Sequence, residues 1–239
     1  GLLPVVYFFR KNNSLLHFVK PVFDRRVFLK TCTNGSSELM TNLSMSLVNA
    51  LYNLQLMKIA GENGVAAYGA VMYVNFIFVA TFLGYAIGCA PVISYHYGAG
   101  NHAELKNLYK KSMSIILVWG VILFGAAQLL APVLSKIFVG YNTGLYAMTL
   151  HGFRVYAIAF LIIGINIFGS SFFTALNNGL ISAVISFLRT LVFQVIMVLT
   201  LPLWFGINGI WSAISIAEAL TLIMTTTFFV RQKDKYHYL

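Results

Sequence analysis

Residues Thr31 to Met57 read TCTNGSSELMTNLSMSLVNALYNLQLM. The stretch is long and apolar enough to cross a bilayer, yet it carries Glu38, Asn42, Asn49 and Asn53. At ~100° per residue, Glu38, Asn42, Met45, Asn49 and Asn53 fall on one helical face. A polar stripe on a spanning helix cannot face lipid cheaply, so it faces other helices, a water-filled cavity or a ligand. The reading adopted is a wall of a transport cavity. The plainer alternative is a packing seam in which the Asn side chains hydrogen-bond between helices. Glu38, as an intramembrane acid, favours the functional reading.

The rest of the chain has the same character. It is 59% hydrophobic and only 9% charged. Soluble domains average roughly 25% charged residues, so the fold class is an all-α polytopic membrane protein. Phe (20) and Gly (19) are abundant, as in bundles of spanning helices. Cys32 and Cys89 stand apart in apolar stretches, which predicts two free thiols and neither a disulfide framework nor a metal site.

The opening GLLPVVYFF is too short to span and lacks the basic start of a signal peptide. It reads as the tail of a preceding spanning helix (1–9). A basic linker follows (10–30), with Pro21 and an interfacial segment. The six-helix bundle occupies 31–231 and a polar tail 232–239. The helices are expected near 31–57, 65–97, 102–131, 152–177, 180–201 and 210–230. Glycines of KIAGENG turn the first pair. The second helix exceeds the bilayer thickness, and Pro91 is expected to kink it. Pro132 is expected to stop the third helix, with an irregular connection after it. The Gly of the NNG turn at 177–179 is expected to take positive φ.

The basic residues set the orientation. Arg10, Lys11, Lys20, Arg25, Arg26, Lys30, Lys106, Lys110, Lys111, Arg231, Lys233 and Lys235 fall on the linker side. Only Lys58, Lys136 and Arg154 fall opposite. The positive-inside rule therefore places both ends in the cytoplasm of a multi-pass protein of the cell membrane. This asymmetry accounts for the net charge of +10 without nucleic acid.

Inside the bundle, Asn166, Ser170, Thr174 and Asn177 share a helical face, and the first two are assigned to the cavity with Glu38, Asn42, Asn49, Phe78 and Phe82. Aromatic faces and a carboxylate suit flat organic cations. Arg189 and Glu218 lie on consecutive helices at depths that agree within a few Å at ~1.5 Å per residue. They predict a buried ion pair or shared network, either structural or part of a relay. No catalytic constellation appears, which predicts a protein that is not an enzyme.

Several stretches carry a resemblance to a known family: NGSSE, then NLSMSLVNALYNLQLMKIAGENGVAAYGAVMYV, GYAIGCAPVIS leading into VISYHYGAGNHAEL, the NNG turn, SFLRTLVFQ and GINGIWSAISIAE. From Gly35 onward the chain resembles the multidrug and toxic compound extrusion (MATE) transporters, specifically their second six-helix lobe. The resemblance implies one lobe of a two-lobe, twelve-helix transporter whose N-terminal lobe is a partner in the same protein. It implies export of organic cations or drugs by alternating access, driven by Na⁺ or H⁺, with no other cofactor. Acids that bind the coupling cation in some relatives would fall near Met45 or Ser46 and on the fourth helix. This sequence has Asn166 on the fourth helix and no acid there, which points the coupling site toward the other lobe. The competing reading is a flippase for a lipid-linked glycan. It needs a basic cavity, and only Arg154 and Arg189 are available. A non-transporting scaffold would leave Glu38 and Glu218 without a purpose.

Overall fold

The structure, a computed structural model, describes residues 6–7, 20 and 23–238; the side chains of Ser37, Glu38 and Met40 lie outside the described residues. The chain divides into two compact units, Gly1–Cys32 and Thr33–Leu239. In the first, Asp24 starts a helix by accepting hydrogen bonds from the backbone N–H groups of Arg26 (2.7 Å) and Val27 (3.2 Å).

That helix, α1, spans Arg25–Gly98, 74 residues. A straight helix of that length would run ~110 Å, far beyond a ~30 Å hydrocarbon core. Gly61 breaks it, with φ 63° and ψ −154°, a conformation essentially reserved for glycine. The limbs then fold onto each other. Tyr68 Oη donates to Asn49 Oδ1 at 3.0 Å, and the Tyr52 and Tyr68 rings stack at 5.0 Å. A straight helix would hold residues 49 and 68 ~28 Å apart. So α1 is a helical hairpin, and its bend belongs to Gly61. Pro91 lies inside the second limb, with the backbone there in helical φ/ψ.

Helix α2 covers His102–Val139, capped by Asn101, whose side chain accepts from the Glu104 N–H at 3.1 Å. It runs through Pro132, where a stop was expected. Ala131, Ser135 and Val139 are buried at helical spacing beyond that point, so packing outweighs the missing hydrogen bond. The connection after it is correspondingly short. Asn142 caps α3 (Thr143–Tyr156) by accepting from the Leu145 N–H at 3.1 Å. A 3₁₀ turn, Ala157–Ala159, leads into α4 (Phe160–Ala175). At the NNG turn it is Asn177, not glycine, that takes positive φ (57°). Gly179 instead starts α5 (Gly179–Phe187), with the backbone of Thr33 and Asn34 where a Cβ would be. A π-helical turn, Leu188–Val192, joins α5 to α6 (Phe193–Phe205), and Gly206 turns the chain into α7 (Ile207–Tyr236).

Among the described residues, five stretches are long and apolar enough to cross a membrane. The Gly61 hairpin divides the first of them into two limbs, giving the six expected segments. The α3–α4 stretch is central: 61% of its most apolar window is buried, against 22% for α2. It packs on α2, α5 and α7.

One end of the bundle is closed by aromatic residues. Residues 232–239, expected as a polar tail, continue α7 to Tyr236. Tyr238 is 0% exposed, packs on Tyr109, Phe172 and Phe229, and donates to the Phe229 carbonyl at 2.9 Å. Asn178 donates to Tyr236 Oη at 2.9 Å, and the His102 and His237 rings meet at 4.8 Å.

Candidate functional site

The GINGIWSAISIAE stretch places Glu218 in the interior of α7, where it is 1% exposed. A carboxylate there is tolerable only with partners. Arg189 Nε donates to Glu218 Oε1 at 2.9 Å. Asn166 of α4, itself fully buried, donates through Nδ2 to Glu218 Oε2 at 2.7 Å and to the Glu218 carbonyl at 2.9 Å. Its Oδ1 in turn accepts from Thr225 Oγ1 at 3.0 Å. Both carboxylate oxygens are thereby served, each by a different element.

The local backbone makes this possible. Arg189 sits in the π-helical turn. Such a turn takes in one extra residue and re-aims the side chains on either side of it. Asn166 follows the 3₁₀ turn that interrupts α3 and α4. Arg189 thus reaches Glu218 from an irregular turn, whereas Asn166 and Glu218 lie within regular α-helix.

Hydroxyls extend the polar layer by one helical turn. Ser170 Oγ lies 2.9 Å from Ser182 Oγ and 2.8 Å from Ser186 Oγ, and Thr174 Oγ1 lies 2.6 Å from Ser182 Oγ. In each pair either oxygen can donate. Tyr52 of the first limb of α1 and Tyr156 at the end of α3 are buried in the same hydrophobic core. No group of three or more His, Cys, Asp or Glu side chains is gathered as a metal site among the described residues.

The expected cavity wall is not assembled as one surface. The side chain of Glu38 lies outside the described residues. The first limb turns Ser44, Val48, Tyr52 and Leu56 inward and leaves Asn42, Met45 and Asn49 on its exposed face. Asn49 spends its Oδ1 on Tyr68, and Asn53 donates to the Asn49 carbonyl at 2.9 Å. Phe78 packs on Phe160 with ring centroids 5.2 Å apart. Phe82 is 3% exposed, seated on Gly164, whose missing Cβ leaves room for the ring. Phe82 is thus a buried core residue, and Phe78 is half-buried against the core. Ser170 belongs to the hydroxyl seam, and Asn166 joins Arg189 and Glu218 rather than Asn42 or Asn49.

The sequence pairs Glu218 with Arg189 and assigns Asn166 to the cavity, so the Asn166–Glu218 contact is found only in the structure. The signal was present elsewhere. Asn166 stands 11 residues before the NNG turn (177 − 166) and Arg189 10 after it (189 − 179), which puts the two at similar heights on antiparallel neighbours.

No curated protein matches the chain in sequence. Solved structures do match in fold. A MATE crystal structure in complex with MaL6 has a TM-score of 0.90 at 20% identity, covering 100% of this chain and 54% of that one. The outward-facing conformation of a multidrug resistance MATE family transporter of the MOP superfamily gives 0.88 at 20% identity, covering 100% and 54%. A MOP superfamily transporter from Pyrococcus furiosus, described as having a binding pocket of reverse polarity, gives 0.86 at 20% identity, covering 97% and 52%. The chain spans about half the length of these structures. The MatE family model matches residues 39–200, more than half of the chain, and the chain therefore belongs to the MatE family of transporters.

Proposed function

We propose that this chain is the C-terminal half of a secondary antiporter, exporting organic cations in exchange for Na⁺ or H⁺ by alternating access. The observation that carries the proposal is the buried network of Arg189, Glu218 and Asn166. As it stands the network is neutral: one guanidinium, one carboxylate and an amide between them. Neutralising the carboxylate from outside, by a proton or a metal cation, leaves the Arg189 charge uncompensated. A net positive charge in the low-dielectric interior opposes a second cation nearby. Coupling ion and organic cation then exclude each other, which is the logic an exchanger needs.

The exposed stripe Asn42, Met45 and Asn49 supplies the polar wall that would face the N-terminal lobe across a central cleft. Glu38, on the same limb, is proposed to attract the cation. Arg189 is committed to Glu218, so it is not free to grip a pyrophosphate, and this favours export over glycan flipping. The basic stretch 10–30 would be the cytoplasmic connection between lobes, with the protein in the cell membrane.

The test is efflux of a fluorescent organic cation, ethidium, from proteoliposomes holding the full-length protein under an imposed Na⁺ or H⁺ gradient. Wild type is expected to export, and Glu218→Gln, at equal reconstitution, is expected to lose gradient-driven export. Normal export by that variant rules out the network as the coupling element. No ethidium movement by wild type under either gradient rules out the drug-export reading.

A further inference from the structure

Ser215 departs from the local pattern of α7. On the same helix, Ser212, Thr221 and Thr227 turn their hydroxyls back to the carbonyls of Asn208, Ala217 and Ile223, at 2.8, 2.8 and 2.7 Å. The Ser215 hydroxyl makes no such bond, and it is buried without a hydrogen-bond partner among the described residues. One turn earlier, the indole Nε1 of buried Trp211 is equally unpartnered. Buried polar groups that the protein leaves unserved are served by ordered water, and two on adjacent turns meet the minimum that a buried water needs. The face that carries them leads to the site. Asn208, Trp211, Ser215 and Glu218 fall within an arc of ~80° on α7. Ser215 and Glu218 are therefore neighbours on the helix surface, with Cβ atoms ~5–6 Å apart. At the far end of the stripe, Asn208 Oδ1 lies 2.7 Å from His151 Nε2, and the Trp211 ring sits against Gly152, where a Cβ would collide with it. His151 and Asn208 are exposed, so the stripe begins at the surface and ends at a buried carboxylate.

We infer that Trp211 and Ser215 hold a short file of water between the His151–Asn208 end of the bundle and Glu218, and that this file carries the coupling ion, a proton, to and from the carboxylate. This rests on the antiport reading above. The lining selects the proton: an indole N–H only donates, so it serves a water oxygen and offers a metal cation nothing. Glu218 can receive it, because Arg189 and Asn166 each occupy one lone-pair site on its two oxygens, out of about four. A proton entering from bulk passes from water to water, each releasing one as it accepts another, and comes to rest on Glu218. The carboxylate gains one proton, Arg189 keeps its own, and the waters are unchanged. Among the elements packed on α7, α4, α5, α6 and the 3₁₀ turn carry no ionisable side chain. Helix α3 carries Tyr146, His151, Arg154 and Tyr156, and the π-turn carries Arg189. The charge asymmetry of the loops assigns the His151 end to the outer side, so the route opens outward.

The test uses the full-length protein in proteoliposomes. Radiolytic hydroxyl-radical footprinting, read by mass spectrometry, is expected to oxidise Trp211 despite its burial, because radicals form from water held against the indole. Phe168, Phe172 and Phe173, equally buried in the core, are expected to stay unmodified. Ser215→Thr and Ser215→Val then compare two side chains of one shape, with and without the hydroxyl. At equal reconstitution, proton-driven ethidium efflux is expected to be about fivefold slower for Ser215→Val than for Ser215→Thr, the worth of one hydrogen bond to the file. An unmodified Trp211 overturns the proposal, as do equal rates for the two Ser215 variants. Export that follows Na⁺ and ignores pH overturns it too, while leaving antiport intact. Normal proton-driven export by Glu218→Gln instead defeats the underlying reading.

Discussion

Asn166 holds Glu218 at two points, donating through one amide nitrogen to the carboxylate (2.7 Å) and to the backbone carbonyl of the same residue (2.9 Å). The backbone contact fixes α4 against α7, and the side-chain contact fixes the rotamer that presents Oε1 to Arg189. Asn166→Ala removes both. Glu218 then keeps one partner for two oxygens in a buried site. A loss of about 2–3 kcal/mol is expected from a hydrogen bond to a charged group and the void left behind. Unfolding in detergent, followed by tryptophan fluorescence, measures it. A variant as stable as wild type would show that the Asn166 contacts are incidental.

Arg189→Leu is expected to be more damaging than Arg189→Leu combined with Glu218→Leu. The single change strands a carboxylate that is 1% exposed, at a cost of about 3–5 kcal/mol. The double change removes the stranded charge and recovers most of that loss. Equal destabilisation by the two variants would mean that volume, not charge, governs the site.

Asn166→Asp places a second carboxylate against Glu218 with one guanidinium for both, and removes the amide N–H that serves Oε2 and the Glu218 carbonyl. Like charges in close contact repel, so the variant is expected to unfold earlier than Asn166→Ala. Thermal unfolding of the two side by side checks this. An Asn166→Asp protein at least as stable as Asn166→Ala rules out charge repulsion at the site.

Much of this architecture is legible in the sequence, and the parts that are not share a cause. Glu218 and Arg189 stand out because a charge inside an apolar run admits few explanations, and two such charges on neighbouring helices admit fewer. Gly61 stands out as one of two glycines in a polar turn. Backbone departures do not announce themselves. SFLRTLVFQ shows no mark of a π-turn, and AIA at 157–159 shows none of a 3₁₀ turn. Exposure is equally hidden. The polar stripe of the first limb is visible by its period, but only the packing of Val48, Tyr52 and Leu56 shows that Asn42 and Asn49 lie on the uncovered side. Nor does the sequence show that Phe78 packs on Phe160 and Phe82 on Gly164.

Gly61→Ala tests the hairpin. With φ 63° and ψ −154° at this position, any Cβ is strained although nothing lies within 4 Å of it. The expected cost is about 1–3 kcal/mol, from backbone conformation rather than crowding. Gly69→Ala is the control: it is helical and equally open, and it should be neutral or slightly stabilising. Thermal unfolding of both, side by side, separates the explanations. Similar behaviour of the two would mean that the reversal at residue 61 does not depend on glycine.

Tyr238 distinguishes a docked C-terminal segment from a solvated one. Its ring lies 5.0 Å from Phe172 and 5.1 Å from Tyr109, and its hydroxyl reaches the Phe229 carbonyl across the end of α7. His237, in the left-handed conformation, makes the bend that returns the ring to the bundle. Tyr238→Ala therefore empties a site shared by α2, α4 and α7, with an expected cost of about 3–5 kcal/mol. Tyr238→Phe loses only the hydroxyl contact, about 1 kcal/mol. A solvated tail predicts no change for either. The ordering Ala far below Phe, and Phe slightly below wild type, is the result that docking requires, and a limited-proteolysis series on the three proteins should follow the same order.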